Sequence, residues 1–146
     1  NILEPGNVGG HCIPVYPWFL INELNVPLIK IARKLNDEMV YYYAEKIRKI
    51  GGKNVGIIGL SYREGVKEDA YSKSIDLIKL LKKKGYNVYG LDPLYSIEEI
   101  EKNFNIKYLN DFRKMDAIIL MNKEYGYKNQ LKKIKYNVID VKNILC

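Results

Sequence analysis

The apolar positions in the first third of the chain predict one long helix. From Pro27 to Ile50 they recur at three- and four-residue steps, which is the spacing of a stripe along an α-helix. Asn25 is the expected N-cap, and Gly51 is a residue type that commonly ends a helix. Further apolar residues lie off this stripe, namely Ile29, Val40, Tyr41 and Ala44. Because two faces are apolar, we expect residues 26–50 to connect two parts of the protein and to form a homodimer.

After residue 53 the pattern changes to short apolar runs that alternate with helical segments. The runs predict strands at 54–59, 87–91, 106–109, 116–121 and 137–141. This alternation is typical of an α/β fold. We therefore predict a long N-terminal helix followed by a doubly wound, mainly parallel, five-stranded Rossmann-like sheet. The chain is divided accordingly into residues 1–52, with a glycine-rich start and the long helix, and residues 53–146, the α/β domain.

Composition and charge narrow the class of protein. The chain has 146 residues, 47% of them hydrophobic, so it can bury a core. The net charge is +7, but the lysines are scattered, so we expect a solvated basic surface and no nucleic-acid partner. No apolar run approaches the roughly 18 residues of a membrane span and no leader opens the sequence, which predicts a cytoplasmic protein without a membrane partner. Since residue 1 is Asn1 and not methionine, we also expect a piece of a longer chain.

The loop after the first predicted strand carries the first candidate site. Its glycines match neither G-x-G-x-x-G nor G-x-x-x-x-G-K-[ST], so the sequence lacks the usual NAD fingerprint and the ATP phosphate loop. A polar segment, residues 61–69, stands there instead, at the edge of the sheet where ligands bind. Arg63 and Lys67 can contact phosphate oxygens. A solvated loop with surface ion pairs fits the same residues equally well.

The second candidate is the turn Gly9-Gly10-His11-Cys12. Paired glycines let the backbone approach a ligand closely, and a cysteine beside a histidine at a possible helix start is a candidate nucleophile. The alternative is a buried apolar cysteine whose histidine neighbour points elsewhere. With Cys146 as the other cysteine, the chain has too few cysteines and histidines for a structural zinc site, and we expect no metal.

Three longer segments are specific enough to indicate a family. Residues 4–20 read EPGNVGGHCIPVYPWFL, residues 32–37 read ARKLND, and residues 59–68 read GLSYREGVKE. The first resembles the catalytic-cysteine segment of the UDP-sugar 6-dehydrogenases, particularly the UDP-N-acetylmannosamine dehydrogenase branch. The second is similar to the central-helix signature of that family, and the third to the start of its UDP-binding domain.

This resemblance implies an enzyme that oxidises the C6 alcohol of a UDP-sugar to a carboxylate in two NAD-dependent hydride transfers. The product would be a UDP-uronic acid for surface polysaccharide or glycan synthesis. Cys12, beside His11, would be catalytic and would trap the aldehyde as a thiohemiacetal and then as a thioester. The implied partners are the UDP-sugar, a second copy bound through the long helix, and an N-terminal domain that binds NAD. The implied substrate-binding residues are Gly9, Gly10, Arg33, Tyr62, Arg63 and Lys67.

Two features depart from the family pattern. Tyr16 stands where the family has an aspartate that assists proton transfer, and a phenol is a poor substitute for a carboxylate. The glycine turn is one residue shorter than the pattern, which can displace Cys12 from the sugar. These departures favour the alternative of a truncated, non-catalytic remnant that only binds UDP or dimerises. Because we expect the NAD-binding domain to lie outside this sequence, we predict no NAD-dependent oxidation by the chain alone.

Overall fold

The computed structural model describes residues 7–123, 125–134 and 137–145. A glycine turn and a series of helices come first, and the sheet with its covering helices follows. The helices are α1 Cys12–Val15, α2 Pro17–Glu23, α3 Pro27–Ile50, α4 Lys73–Lys83, α5 Ile97–Phe104 and α6 Lys128–Lys132. The strands are β1 Asn54–Ile58, β2 Asn87–Leu91, β3 Lys107–Tyr108, β4 Ala117–Leu120 and β5 Val138–Asp140, with 3-10 turns at Phe112–Lys114 and Tyr125–Tyr127.

The strands of the described residues form one parallel sheet in the order β3-β2-β1-β4-β5. β1 lies at the centre, where Val55 pairs with Val88 on one side and with Ala117 on the other. The predicted doubly wound, Rossmann-like fold is thereby confirmed. Because all strands run the same way, their carboxyl ends lie along one edge, and the loops that leave this edge are the ones placed to bind ligands.

Apolar cores cover both faces of the sheet. Ile57 and Ile119 point into the core that includes residues of α3, α4 and α5. Ile58 and Leu120 point into a second core, which includes Leu131 of α6. All of these strand side chains are fully buried. This double coverage explains why the strands read as continuous apolar runs without an alternating polar position.

The long helix α3 packs on the sheet domain with its second half. Val40, Ala44 and Ile47 are buried there, in the core that also contains residues of α4. In the first half the helix buries Arg33, while its apolar side chains stay in solvent: Leu28, Ile31 and Leu35. Neither α3 nor any other helix among the residues described is long and apolar enough to cross a membrane.

Local structure differs from the sequence prediction at the start of the long helix. α3 has Val26, not Asn25, at its N-cap position, because the residue before Pro27 is forced out of the helical region. The possible helix start at Cys12 is observed as the first residue of the short helix α1, and Pro17 then begins α2 in the first-turn position that suits proline.

Candidate functional site

The chain leaves β1 along a path that the buried carboxylate of Asp92 fixes. Asp92, at the end of β2, accepts hydrogen bonds at Oδ2 from the backbone N–H of Leu60 at 2.8 Å and of Ser61 at 2.9 Å. The Ser61 hydroxyl donates to the same oxygen at 2.9 Å. In dinucleotide-binding sheets the N–H groups after the first strand face the pyrophosphate, and an acid after the second strand binds the ribose. Here the N–H groups after β1 donate to the acid after β2, so neither is available to a dinucleotide. The described residues of this sheet therefore do not fit NAD.

Three further side chains hold the same segment in place. Ser72 and Ser74 donate from their hydroxyls to the carbonyls of Leu60 and Gly59, at 2.8 and 2.6 Å. Asn122, which follows β4, donates from its amide to the Ser61 carbonyl at 2.8 Å. All of these groups are buried, so the segment has little freedom to rearrange around a ligand. The exposed part of this edge is the loop that follows, residues 62–71.

The loop of residues 62–71 is folded back on itself and tied to α5. The Tyr62 N–H donates to the Glu68 carbonyl at 2.9 Å. Lys67 forms an ion pair with Glu99 of α5, with an Nζ–Oε1 distance of 2.6 Å. Arg63 is exposed, and its guanidinium lies over the Tyr62 ring at 5.7 Å from the centroid. Of the two predicted phosphate contacts, Arg63 therefore faces solvent while Lys67 is already held by a carboxylate.

The glycine turn docks directly on this loop. The Gly10 N–H donates to the Ala70 carbonyl at 2.9 Å. A Cβ on Gly9 would lie 2.8 Å from the Tyr62 Cβ, and one on Gly10 would lie 2.9 Å from the Tyr62 ring. Gly10 also has a φ of +79°, which disfavours any side chain. Glycines are required at both positions because the turn lies flat against Tyr62.

The residues before the glycines are attached to α3. Val8 exchanges two hydrogen bonds with the side chain of Asn36, its N–H donating at 2.9 Å and its carbonyl accepting at 3.0 Å. The Tyr43 hydroxyl donates to Asn7 Oδ1 at 3.0 Å. Burial raises the pKa of Tyr43, although this hydrogen bond opposes the shift, so the hydroxyl keeps its proton. The segment of residues 7–10 is thus held between the long helix and the loop.

The predicted catalytic pair separates into two different environments. Cys12 is a free, exposed thiol at the first position of α1, so the alternative of a buried apolar cysteine is wrong. His11 turns to the loop, where its Nδ1 lies 3.1 Å from Glu68 Oε1 and its ring meets the edge of Tyr71. Tyr16 is exposed beside Phe19. Cys146 lies outside the described residues.

Arg33, a predicted substrate contact, is buried in α3. Its Nη2 donates to Asp37 Oδ1 at 2.9 Å, whereas its buried Nε has no hydrogen-bond partner among the described residues. A buried donor without an acceptor is costly, so this Nε is available to an acceptor from outside the described residues. Arg33 lies one turn before Asn36, so both are on the face of α3 to which residues 7–10 attach.

Sequence reasoning did not identify the residues that hold the site together. Asp92 carried a signal, because an acid at the end of a strand next to β1 is placed to meet the β1 loop. Asn36 belongs to the segment 32–37 that indicates the family, but its pairing with Val8 was not predicted. The partners Val8 of Asn36 and Asp37 of Lys73 are 28 and 36 residues away in sequence, so no local pattern indicates these contacts. No group of three or more metal-ligating side chains lies together in the part of the chain that the structure describes.

Fold and site together define a nucleotide-binding type of α/β domain that carries a cysteine turn at its ligand edge. The sequence profile of the "UDP-glucose/GDP-mannose dehydrogenase family, UDP binding domain" matches residues 56–146. The chain therefore belongs to the UDP-glucose/GDP-mannose dehydrogenase family and contains its UDP-binding domain.

Relatives and solved structures agree with this assignment. The UDP-N-acetyl-D-mannosamine dehydrogenase of Methanocaldococcus jannaschii is 36% identical over 99% of this chain, which spans 36% of that protein. The UDP-N-acetyl-mannosamine dehydrogenase of Staphylococcus aureus superposes with a TM-score of 0.73 at 25% identity, covering 99% of this chain and 37% of its own. The GDP-mannose dehydrogenase of Pseudomonas aeruginosa shares the fold, with a TM-score of 0.79 at 19% identity over 95% of this chain and 37% of its own. This chain thus spans little more than a third of these proteins.

The Lys67–Glu99 pair predicts how acid affects the attachment of the loop. Lys67 and the Ser96 N–H hold the pKa of Glu99 below its usual value. The contribution of this carboxylate to the free energy of unfolding is therefore present above the usual pKa of about 4.3, and it is lost as the pH falls through the lowered pKa. Glu99→Gln keeps the capping box of α5 and removes only the charge. We expect wild type to resist urea slightly better than Glu99→Gln at pH 7 and equally at pH 2.

Glu101→Gln, an exposed change on the same helix, is the matched control and should behave as wild type throughout. A difference between wild type and Glu99→Gln that grows on acidification would contradict the assigned pair. Because the pair is partly exposed, high salt should also reduce the difference at pH 7.

Proposed function

We propose that this chain is the UDP-binding and cysteine-bearing part of an NAD-dependent UDP-sugar 6-dehydrogenase that acts on UDP-N-acetylmannosamine and makes a UDP-uronic acid. One observation carries the proposal: the turn that leads to the exposed Cys12 lies directly on the loop of residues 62–71. A thiol and a nucleotide-binding loop placed in this way can act on one substrate, with the nucleotide on the loop and the sugar toward the thiol.

The proposed nucleotide contacts follow from exposure and charge. Arg63 is exposed beside Tyr62, so its planar guanidinium is available to a diphosphate. Arg33 has a buried donor, Nε, for which the described part of the chain supplies no acceptor. Lys67 would have to leave Glu99 before it could bind a phosphate. We therefore expect it to contribute less than Arg63 to the affinity for UDP. We assign Gly9 and Gly10 to the sugar side because they lead directly to Cys12, and their backbone lies against Tyr62 where no side chain would fit.

The proposed chemistry at Cys12 is addition of its thiolate to the aldehyde carbon of the oxidised sugar. A carbon–sulfur bond forms, and the carbonyl oxygen takes up a proton, which gives a thiohemiacetal. His11 supports this step by holding the turn on Glu68. Covalent attachment keeps the aldehyde in place for further oxidation.

The nicotinamide cofactor belongs elsewhere in the proposed enzyme. Asp92 uses the N–H groups that a dinucleotide would need after β1, so the described sheet offers NAD no fitting site. We propose that NAD binds to a separate domain, outside the described residues, and that this sheet binds only the UDP-sugar.

Binding of UDP by the chain itself tests the nucleotide half of the proposal. In a calorimetric titration, wild type should bind UDP, and Arg63→Ala should bind about tenfold more weakly because a charge-assisted hydrogen bond is lost. Arg113→Ala removes another exposed arginine, which pairs with Asp111, and should leave the affinity unchanged. Absence of UDP binding by wild type, or equal losses in the two variants, would contradict the proposal.

The role of the thiol is tested in a protein that also contains the NAD-binding domain. Cys12→Ser should abolish formation of the uronic acid, whereas Cys146→Ser should not. Tyr16→Asp restores the carboxylate of the family pattern and should raise the rate by about a hundredfold, the scale of one positioned acid–base group. Uronic acid formation that survives Cys12→Ser would show that the thiol is not the nucleophile. Inactivity of both wild type and Tyr16→Asp would favour the non-catalytic remnant.

A homodimer through residues 26–50 is the second part of the proposal. Leu28, Ile31 and Leu35 are 78%, 56% and 60% exposed, and they follow the helical spacing of one stripe. Tyr42 continues the stripe at 52% exposure. This stripe lies on the opposite side of α3 from Val40 and Ile47, so a second copy can cover it without disturbing the core.

Light scattering tests the dimer. Wild type should have about twice the chain mass of 17.0 kDa, and Ile31→Glu should be a monomer because it buries a charge in the apolar stripe. Lys34→Glu also introduces a glutamate in α3, at a position that is already charged and exposed, and should remain a dimer. A monomeric wild type would exclude this interface.

A further inference from the structure

Lys73 is a buried lysine at the point where the loop of residues 62–71 meets the long helix. It is the first residue of α4, directly after the N-cap Ser72, and is only 8% exposed. Its Nζ lies 2.8 Å from Asp37 Oδ1, on α3, and 3.1 Å from Asp76 Oδ2, on its own helix. The ammonium therefore connects the end of the loop to α3.

Asp37 shares one carboxylate oxygen between two cations. Oδ1 accepts from Lys73 Nζ at 2.8 Å and from Arg33 Nη2 at 2.9 Å. A free arginine–aspartate pair tends to form two parallel hydrogen bonds, which would use a second guanidinium donor. Here only Nη2 of Arg33 binds the carboxylate, and its Nε stays without a partner among the described residues. Lys73 and Arg33 thus converge on one oxygen, so Lys73 helps to set the orientation in which Asp37 meets the guanidinium.

Lys73 also borders a small cavity between the loop and the glycine turn. The cavity has a volume of about 10 Å³, enough for about one water molecule, and Asn7, Gly9 and Tyr62 line it together with Lys73. The lysine therefore binds α3 directly through Asp37 and lines a cavity that the turn and the loop also line.

Stability alone does not explain a lysine at this position. Removing an ammonium from water is costly. The carboxylates of Asp37 and Asp76 are 43% and 45% exposed, so these ion pairs return little of that cost, and both carboxylates stay solvated when the ammonium is removed. Methionine has a stem of similar length and would fill the same space. A buried lysine that is retained in spite of this cost is a candidate for a functional role.

We propose that Lys73 is a positioning residue for nucleotide binding: by holding Asp37, it keeps the guanidinium of Arg33 from closing on that carboxylate and leaves a donor free for the anionic substrate. The proposal rests on the proposed function, in which Arg33 contacts the UDP-sugar. Lys73 itself does not contact the substrate in this account. It acts through the carboxylate that it shares with Arg33.

Calorimetric titration with UDP and urea unfolding of the same variants test this role. Lys73→Met should weaken UDP binding about tenfold, while the urea midpoint stays equal to wild type or rises. Lys73→Arg keeps a cation and should retain wild-type affinity. Asp76→Asn removes the other partner of Lys73 and is the matched control, with unchanged affinity. A loss of affinity in Asp76→Asn equal to that in Lys73→Met would overturn the assignment to Asp37.

A double-mutant cycle separates this inference from the proposed function. In an Arg33→Ala background, Lys73→Met should have no further effect on UDP affinity, because the two residues act through one guanidinium. Full, independent losses from the two changes would overturn the positioning role while leaving UDP binding intact. Wild type that fails to bind UDP would instead overturn the proposed function, and the inference with it.

Discussion

The carboxylate of Asp92 is the constraint on which the rest of the site depends. By accepting the N–H groups of Leu60 and Ser61, it closes the place where a dinucleotide would bind a sheet of this topology. The chain must then continue outward, and the loop of residues 62–71 becomes the surface on which other segments rest. This buried hydrogen-bond acceptor thus makes the junction after β1 unsuited to NAD.

The loop brings together segments that are far apart in sequence. The glycine turn lies on Tyr62 and Ala70, and residues 7 and 8 bind the side chains of α3. Lys73 of α4 and Asp37 of α3 form an ion pair where these two helices meet. The exposed Cys12 follows directly from the turn, so its position depends on all of these contacts. Rigid support of this kind is what a nucleophile needs if a substrate is to meet it in one orientation.

Periodicity was sufficient to predict the fold because both faces of the sheet are covered. Apolar strands and capped helices can be located from the sequence alone. The order β3-β2-β1-β4-β5 is a common result when strands and helices alternate in this way. The site was harder to predict. Arg63 and the glycine turn could be found from local chemistry, but the engagement of Lys67 by Glu99 and of Asp37 by Lys73 depends on contacts across more than 30 residues. No local pattern encodes such contacts.

The most direct test of the account is a map of amide chemical shifts in the ¹⁵N-labelled chain on addition of UDP. The account predicts that the largest changes occur in the glycine turn, residues 9–12, and in the loop of residues 62–71. Changes confined to the separate cleft that Leu91, Tyr108 and Phe112 line would contradict it. In that case the thiol and the nucleotide would not share a site.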